Sequence, residues 1–193
     1  MYISSVAALK AYLGIAATAD DALLGQFGAA AQSMVEQHTR RVFEYGTATA
    51  RAHDAVGDTC RYRQTLYLHD DLCSITSIVN GDGVPVTVGQ YVTLPGDLTP
   101  YYAIKLLSSS SLAWTYTTDP ENAIIVTGKW AYSVTAPPDI VQATTRLAAY
   151  LYRQKDNAAD LDRAIVAGNA TILPATIPAD IAKMLEPYRR LTY

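Results

Sequence analysis

The sequence predicts an α+β protein, with a helical core and an inserted antiparallel β region. Three observations predict it. Apolar residues recur at helical spacing up to about residue 43. The pattern changes to strand-like alternation from about 48 to 132, and a proline-initiated helical pattern resumes at 138. The core then comprises two N-terminal helices, a helix over about 138–155 and a C-terminal helix. Residues 1–155 read as a single domain with the β insertion inside it, and 156–193 as a linker and C-terminal helix or tail.

The first helix starts after Ser4 and Ser5, both good N-cap residues, and places Val6, Leu9, Tyr12 and Leu13 at helical spacing before Gly14 stops it. The apolar stretch 6–19 ends in Ala17-Thr18-Ala19, which imitates a leader-cleavage site. No Lys or Arg precedes it and Lys10 interrupts it, so it reads as a mature helix. Asp20 and Asp21 open the second helix, where the helix dipole favours their charge. Its apolar stripe is Leu23, Leu24, Phe27, Ala30, Ala31, Met34 and Val35, with Gln26, Gln32, Glu36 and Arg40 outside the stripe and an end predicted near Phe43.

In the middle region Leu66-Tyr67-Leu68 forms a short apolar run. Ile75, Ile78 and Val79 lead into Asn80-Gly81, which suits a type I′ turn to a hairpin partner at 84–88. Tyr102, Ile104 and Leu106 alternate with Ala103, Lys105 and Leu107. Ile124, Val126, Trp130 and Tyr132 share a face opposite Thr127 and Lys129. Ser108 to Ser111 read as an exposed loop.

Pro137-Pro138-Asp139 opens the third helix, with Ile140, Val141, Thr144, Leu147, Ala148 and Leu151 on one face. Thr144 is the one polar member, and its hydroxyl is expected to bond back to a carbonyl one turn earlier. Leu23, Phe27, Met34, Ile140, Leu147 and Leu151 are the predicted core scaffold. Residues 156–177 read as a linker with weak helix. Pro178-Ala179-Asp180 starts a last short helix that Pro187 ends or kinks.

Composition narrows the function classes. Charged residues are only 17% of the chain, which suits a surface that meets protein. The net charge of -3 and the lack of clustered Lys and Arg give no footprint for nucleic-acid binding. No run approaches the ~18 apolar residues of a membrane span. The two cysteines, Cys60 and Cys73, are too few for a disulfide scaffold or a zinc cage, and fit a reducing compartment.

No convergent catalytic set, nucleotide loop or cofactor motif is present in the sequence. His69-Asp70-Asp71 with Cys73 contains metal-ligand residue types, but neighbours on a strand point to opposite faces. Asp70-Asp71 after an apolar run reads as a turn. His53-Asp54 has the elements of an oriented base, but it would need a nucleophile and the sequence has no Gly-x-Ser-x-Gly elbow, and His38 reads as a surface or half-buried residue of the second helix. The predicted sites are therefore not catalytic, metal-binding or cofactor-binding. The 14 tyrosines divide between strand positions and interface positions. Tyr188 and Tyr193 lie outside any predicted strand, beside Arg189 and Arg190, which are suited to a partner's carboxylates.

Three patterns in order carry a family resemblance. They are Leu9-Lys10-Ala11-Tyr12-Leu13-Gly14 with Asp20-Asp21-Ala22-Leu23-Leu24, then Val35-Glu36-Gln37-His38-Thr39-Arg40-Arg41-Val42-Phe43, then Ile125-Val126-Thr127-Gly128-Lys129-Trp130 with Pro138-Asp139-Ile140 and the helix through Tyr152-Arg153. Over about residues 5–155 the chain resembles the head–tail connector, or adaptor, proteins of long-tailed bacteriophages and prophages. The resemblance implies a non-enzymatic virion protein of the neck, made in the bacterial host cytoplasm. It implies a ring of copies, usually twelve, under the portal protein, which extends the DNA channel without specific DNA binding and docks a stopper or tail-terminator protein. It also implies that the C-terminal segment reaches the portal, and Tyr188, Arg189, Arg190, Leu191 and Tyr193 are the residues expected to dock there. Deleting residues 179–193 is expected to leave folding intact and abolish portal docking.

Three other readings compete. One is a different neck or tail-completion protein, which would be mostly β. Another is a metal-dependent nuclease using His69, Asp70 and Asp71 or His53 and Asp54. The third is a carbohydrate-binding module using Trp114 and Trp130.

Overall fold

A computed structural model describes residues 2–3, 5–96, 98–154, 165–167, 170–172 and 177–190. Among the described residues, two antiparallel three-stranded sheets accompany four α-helices, so the protein is α+β. The chain divides into two compact units, Met1–Arg40 with Pro137–Tyr193, and Arg41–Ala136.

The first unit is helical. Helix α1 (Val6–Leu13) begins at Ser5, whose hydroxyl accepts the Ala8 N–H at 3.1 Å. It ends where Gly14 adopts φ 73°, a conformation a side chain disfavours, and the Ile15 N–H closes on the Lys10 carbonyl. Helix α2 spans Asp21–Thr39 and stops four residues before the predicted end, because Arg40 takes a left-handed conformation at φ 56°. Its buried line is Leu24, Gly28, Ala31, Val35 and Thr39. Leu23, Phe27 and Met34 flank that line half-buried.

Helix α3 (Pro138–Gln154) buries Ile140, Ala143, Thr144, Leu147, Ala148 and Ala149, while Leu151 is half-buried. The Thr144 hydroxyl donates to the Ile140 carbonyl at 2.7 Å, the back-bond predicted for a threonine in an apolar stripe. Phe27 meets Tyr152 edge-on at 6.3 Å, and the Tyr152 hydroxyl donates to Asp20 at 2.5 Å, fixing the start of α2 against α3.

Helix α4 (Ala179–Leu185) runs into a 3-10 turn at Glu186–Tyr188 that carries Pro187. It is a packed element. Ile181 and Leu185 are buried, Arg146 of α3 pairs with Asp180, and the Arg190 N–H donates to the Thr39 carbonyl at 2.8 Å. That packing argues against the expectation that residues 179–193 can be deleted without loss of folding. Between α3 and α4 the described residues do not form weak helix. Ile165–Ala167 and Ala170–Ile172 pair as an antiparallel two-stranded ladder.

The second unit is all β. Strands β1 (Thr49–His53), β6 (Ile124–Lys129) and β3 (Ser74–Val79) form one sheet in that order. Strands β2 (Thr65–Leu72), β5 (Tyr101–Leu106) and β4 (Tyr91–Leu94) form the other. Their inner faces enclose Leu66, Leu72, Ile78, Ile104, Leu106, Trp114, Ile124, Val126 and Trp130. Both tryptophans are buried and donate their indole N–H to backbone, Trp114 to Gln64 and Trp130 to Thr49, so neither offers a sugar-stacking platform.

The hairpin after β3 forms, with Val79 bridged to Pro85, but not through the Asn-Gly turn. Positive φ falls on Gly83, at 82°, and the Gly83 N–H donates to the Asn80 carbonyl at 2.9 Å. Gly81 is required for another reason: a Cβ there would lie 2.3 Å from the Thr115 carbonyl oxygen. Asn80, 3% exposed, uses its side chain to tie the hairpin to this neighbouring segment. Its amide donates to the Ala113 carbonyl at 2.9 Å and its oxygen accepts from Gly81 and Thr115. Ser108–Ser110, expected as a loop, form a short 3-10 turn.

Candidate functional site: an outward sheet face and a histidine cluster

Strand register defines the first candidate. Directly opposed residues share a face of an antiparallel sheet. Tyr67, Ala103 and Leu94 form one outward row across β2, β5 and β4, and Thr65, Lys105 and Val92 form the next. The inward counterparts Leu66, Ile104 and Leu106 are fully buried. Outward, Tyr67 stays 50% and Val92 42% exposed, while the small Ala103 between its neighbours is buried. Val88 and Leu98, on the segments flanking β4, are also exposed. The exposed Tyr67 and Val92 on this face, interleaved with Thr65 and Lys105, suit contact with protein. Of the tyrosines, Tyr12, Tyr45, Tyr62, Tyr67 and Tyr102 are exposed.

The C-terminal residues predicted to dock a partner divide. Tyr188 is half-buried and its hydroxyl donates to Asp139 at 3.3 Å; Arg189 is exposed, and Arg190 is held through its backbone. Leu191 and Tyr193 lie outside the described residues.

The second candidate is a cluster that sequence reasoning only half identified. His69, Asp70 and Asp71 are not in a turn, because β2 continues through them to Leu72. Two arginines make an acidic strand tolerable: Asp70 pairs with Arg51, and Asp71 with Arg41 at 2.7 Å. Cys73 is buried, which pushes its thiol pKa up, and its Sγ lies 3.4 Å from the Lys129 carbonyl.

His69 instead meets His53 and Asp58. Its Nε2 is 2.9 Å from Asp58 Oδ1, and His53 Nδ1 is 3.7 Å from Asp58 Oδ2. The two imidazoles stack with centroids 5.6 Å apart. Asp54 holds the Asp58 carboxylate, its N–H donating to Asp58 Oδ2 at 2.8 Å, while its own Oδ1 accepts the Asn122 N–H at 2.7 Å. His53 is 2% exposed and neither of its ring nitrogens makes a hydrogen bond. Leaving a buried polar atom unsatisfied costs about 1–3 kcal/mol. Burial lowers the His53 pKa, Asp58 opposes that shift, and the ring is held towards its neutral form. Asp58 carries no motif that marks it. It reaches the histidines because its carbonyl accepts the Tyr67 N–H at 2.7 Å, laying the 54–60 connection along β2.

The chain resembles known proteins in fold. No family profile and no curated protein matches it. Solved structures do match. A chain in the neck of an empty GTA particle, computed with C6 symmetry, is 21% identical with a TM-score of 0.59; the match covers 97% of this chain and 90% of that one. A chain in the virion of the native gene transfer agent (GTA) particle is 19% identical with a TM-score of 0.60, over the same shares. The fold is common to all three. It spans both units of this chain, helices and β insertion alike, and so is not a match to one sheet or one helix pair.

Proposed function

We propose that this chain is a structural subunit of the neck of a tailed, phage-like particle. In this role it is a head–tail connector that forms a ring under the portal, extends the DNA channel and docks the next neck or tail protein. The observation that carries the proposal is the fold shared with chains of a GTA neck and virion over 97% of this chain. The C6 symmetry of that neck suits a ring of six copies or a multiple, including the twelve expected of connectors.

The physics of the chain agrees. A closed ring needs heterologous interfaces, with one patch of a subunit meeting a different patch of the next. Tyr67, Leu94 and Val92, from two neighbouring outward rows, supply apolar surface for one side of such a contact. A passage for DNA should not grip its phosphates, and a chain of net charge -3 without basic clusters meets that requirement. No chemistry is asked of the protein in this role. Exposed Arg189, with Tyr188 and Arg190 beside it, forms the portal-facing patch, on the folded end of the helical unit.

Inactivating the gene in its host and imaging the resulting particles tests the proposal. The expected result is DNA-filled heads and finished tails that remain unjoined. Joined, infectious or transfer-competent particles made without the chain would contradict it.

A further inference from the structure

We propose that His53, Asp58 and His69 form a binding site for one divalent transition-metal ion of the zinc class, with a further coordination position open to solvent beside His69. The inference is independent of the role in the neck. Among the described residues, one group brings three metal-ligand side chains together, and it is this one, with all three donor atoms within 4.8 Å of one another.

The spacing fits an ion. Zinc bonds to imidazole nitrogen and carboxylate oxygen are about 2.0–2.2 Å long, so tetrahedral ligand atoms sit about 3.3 Å apart. Asp58 faces both rings, its Oδ1 2.9 Å from His69 Nε2 and its Oδ2 3.7 Å from His53 Nδ1, and one donor atom from each residue lies within 4.8 Å of the others, so a small closure of the three side chains brings them to that spacing. Two imidazoles and one carboxylate select zinc, nickel, cobalt or copper over magnesium or calcium, which prefer all-oxygen shells.

A carboxylate beside an exposed histidine is by itself an ordinary ion pair, and His53 is what separates this cluster from one. The residue is 2% exposed, its Nδ1 points at Asp58, and both ring nitrogens lack a hydrogen bond. A metal would satisfy one of them. Its surroundings also hold the ring in place. Trp130 lies 5.6 Å away, and the nearby Arg51 charge is engaged by Asp70 and by the Trp130 face.

The three ligands come from β1, the following connection and β2, that is, from both sheets of the β unit. An ion there would cross-link the two sheets at the 54–60 connection, adding stability where the sequence supplies no disulfide. His69 is 69% exposed, so the remaining coordination position faces water.

The test is titration of the metal-free, full-length chain with zinc chloride, followed by calorimetry and thermal unfolding, and with cobalt(II), followed by its visible absorption. The expected result is one equivalent bound, a melting temperature that rises with zinc, and the intense visible band of four-coordinate cobalt. His69→Ala should weaken binding by about tenfold or more while the metal-free chain still unfolds in a cooperative transition. His38→Ala, on α2, should bind as the parent does. The proposal is overturned if no ion binds, if His69→Ala binds as tightly as the parent, if His38→Ala weakens binding equally, or if magnesium gives the same thermal shift.

Discussion

Asn80 offers a sharp test of how the β unit is held together. Its side chain makes three hydrogen bonds while 3% exposed, to Ala113 at 2.9 Å, Gly81 at 3.0 Å and Thr115 at 3.1 Å. Asn80→Ala removes all three and leaves two groups of a neighbouring segment without partners. At about 1 kcal/mol for each bond, the loss is about 3 kcal/mol, more if the Ala113 carbonyl stays dry. For a chain of this length that corresponds to a fall in Tm of about 6–12 °C. Asn80→Asp should also destabilise, because it sets a carboxylate oxygen against the Ala113 carbonyl. Urea unfolding monitored by tryptophan fluorescence reads the effect, since Trp114 lies in the core beside this segment. A loss within about 0.5 kcal/mol for Asn80→Ala would refute the view that this side chain ties the hairpin down.

The other predictions concern packing and thiol chemistry. Leu147→Ala, at a fully buried position of α3, should cost about 2–5 kcal/mol in chemical denaturation. A change within about 0.5 kcal/mol would mean that the helical core is packed differently. Truncation before Ala179, which removes buried Ile181 and Leu185, should lower the melting temperature of the chain, and an unchanged melt would return α4 to the status of a detachable tail. Cys60 and Cys73 should differ in alkylation at neutral pH. Burial raises the Cys60 thiol, but backbone hydrogen bonds from Thr65, Gln64 and Tyr62 together bring it below its usual value, whereas burial dominates at Cys73. Mass spectrometry should find Cys60 labelled first and Cys73 labelled only on unfolding; equal rates would contradict the burial assigned to Cys73.

What the sequence made legible follows from local physics. Ser5, Gly14 and Pro138 mark helix ends through backbone geometry that needs no distant partner. The threonine in the α3 stripe declared its own back-bond. Readings failed where a distant partner decided. Asp70 and Asp71 look like turn residues until Arg51 and Arg41 arrive from elsewhere in the chain to neutralise them within a strand. Asn80-Gly81 has the composition of a tight turn, but Gly81 is set by the approach of Thr115. Arg40 ends α2 in a conformation usually left to glycine, so no residue type announced the stop. His53, Asp58 and His69 converge only because the two sheets and the 54–60 connection bring them together. The spacing of these residues in the sequence carries none of that information.

The most direct test of the ring-forming neck role is native mass spectrometry of the purified chain, alone and mixed with the portal ring of its own particle. A ring, or a monomer that joins the portal in a fixed stoichiometry of six or a multiple of six, is the predicted result. A monomer or small dimer that ignores the portal would contradict the connector assignment.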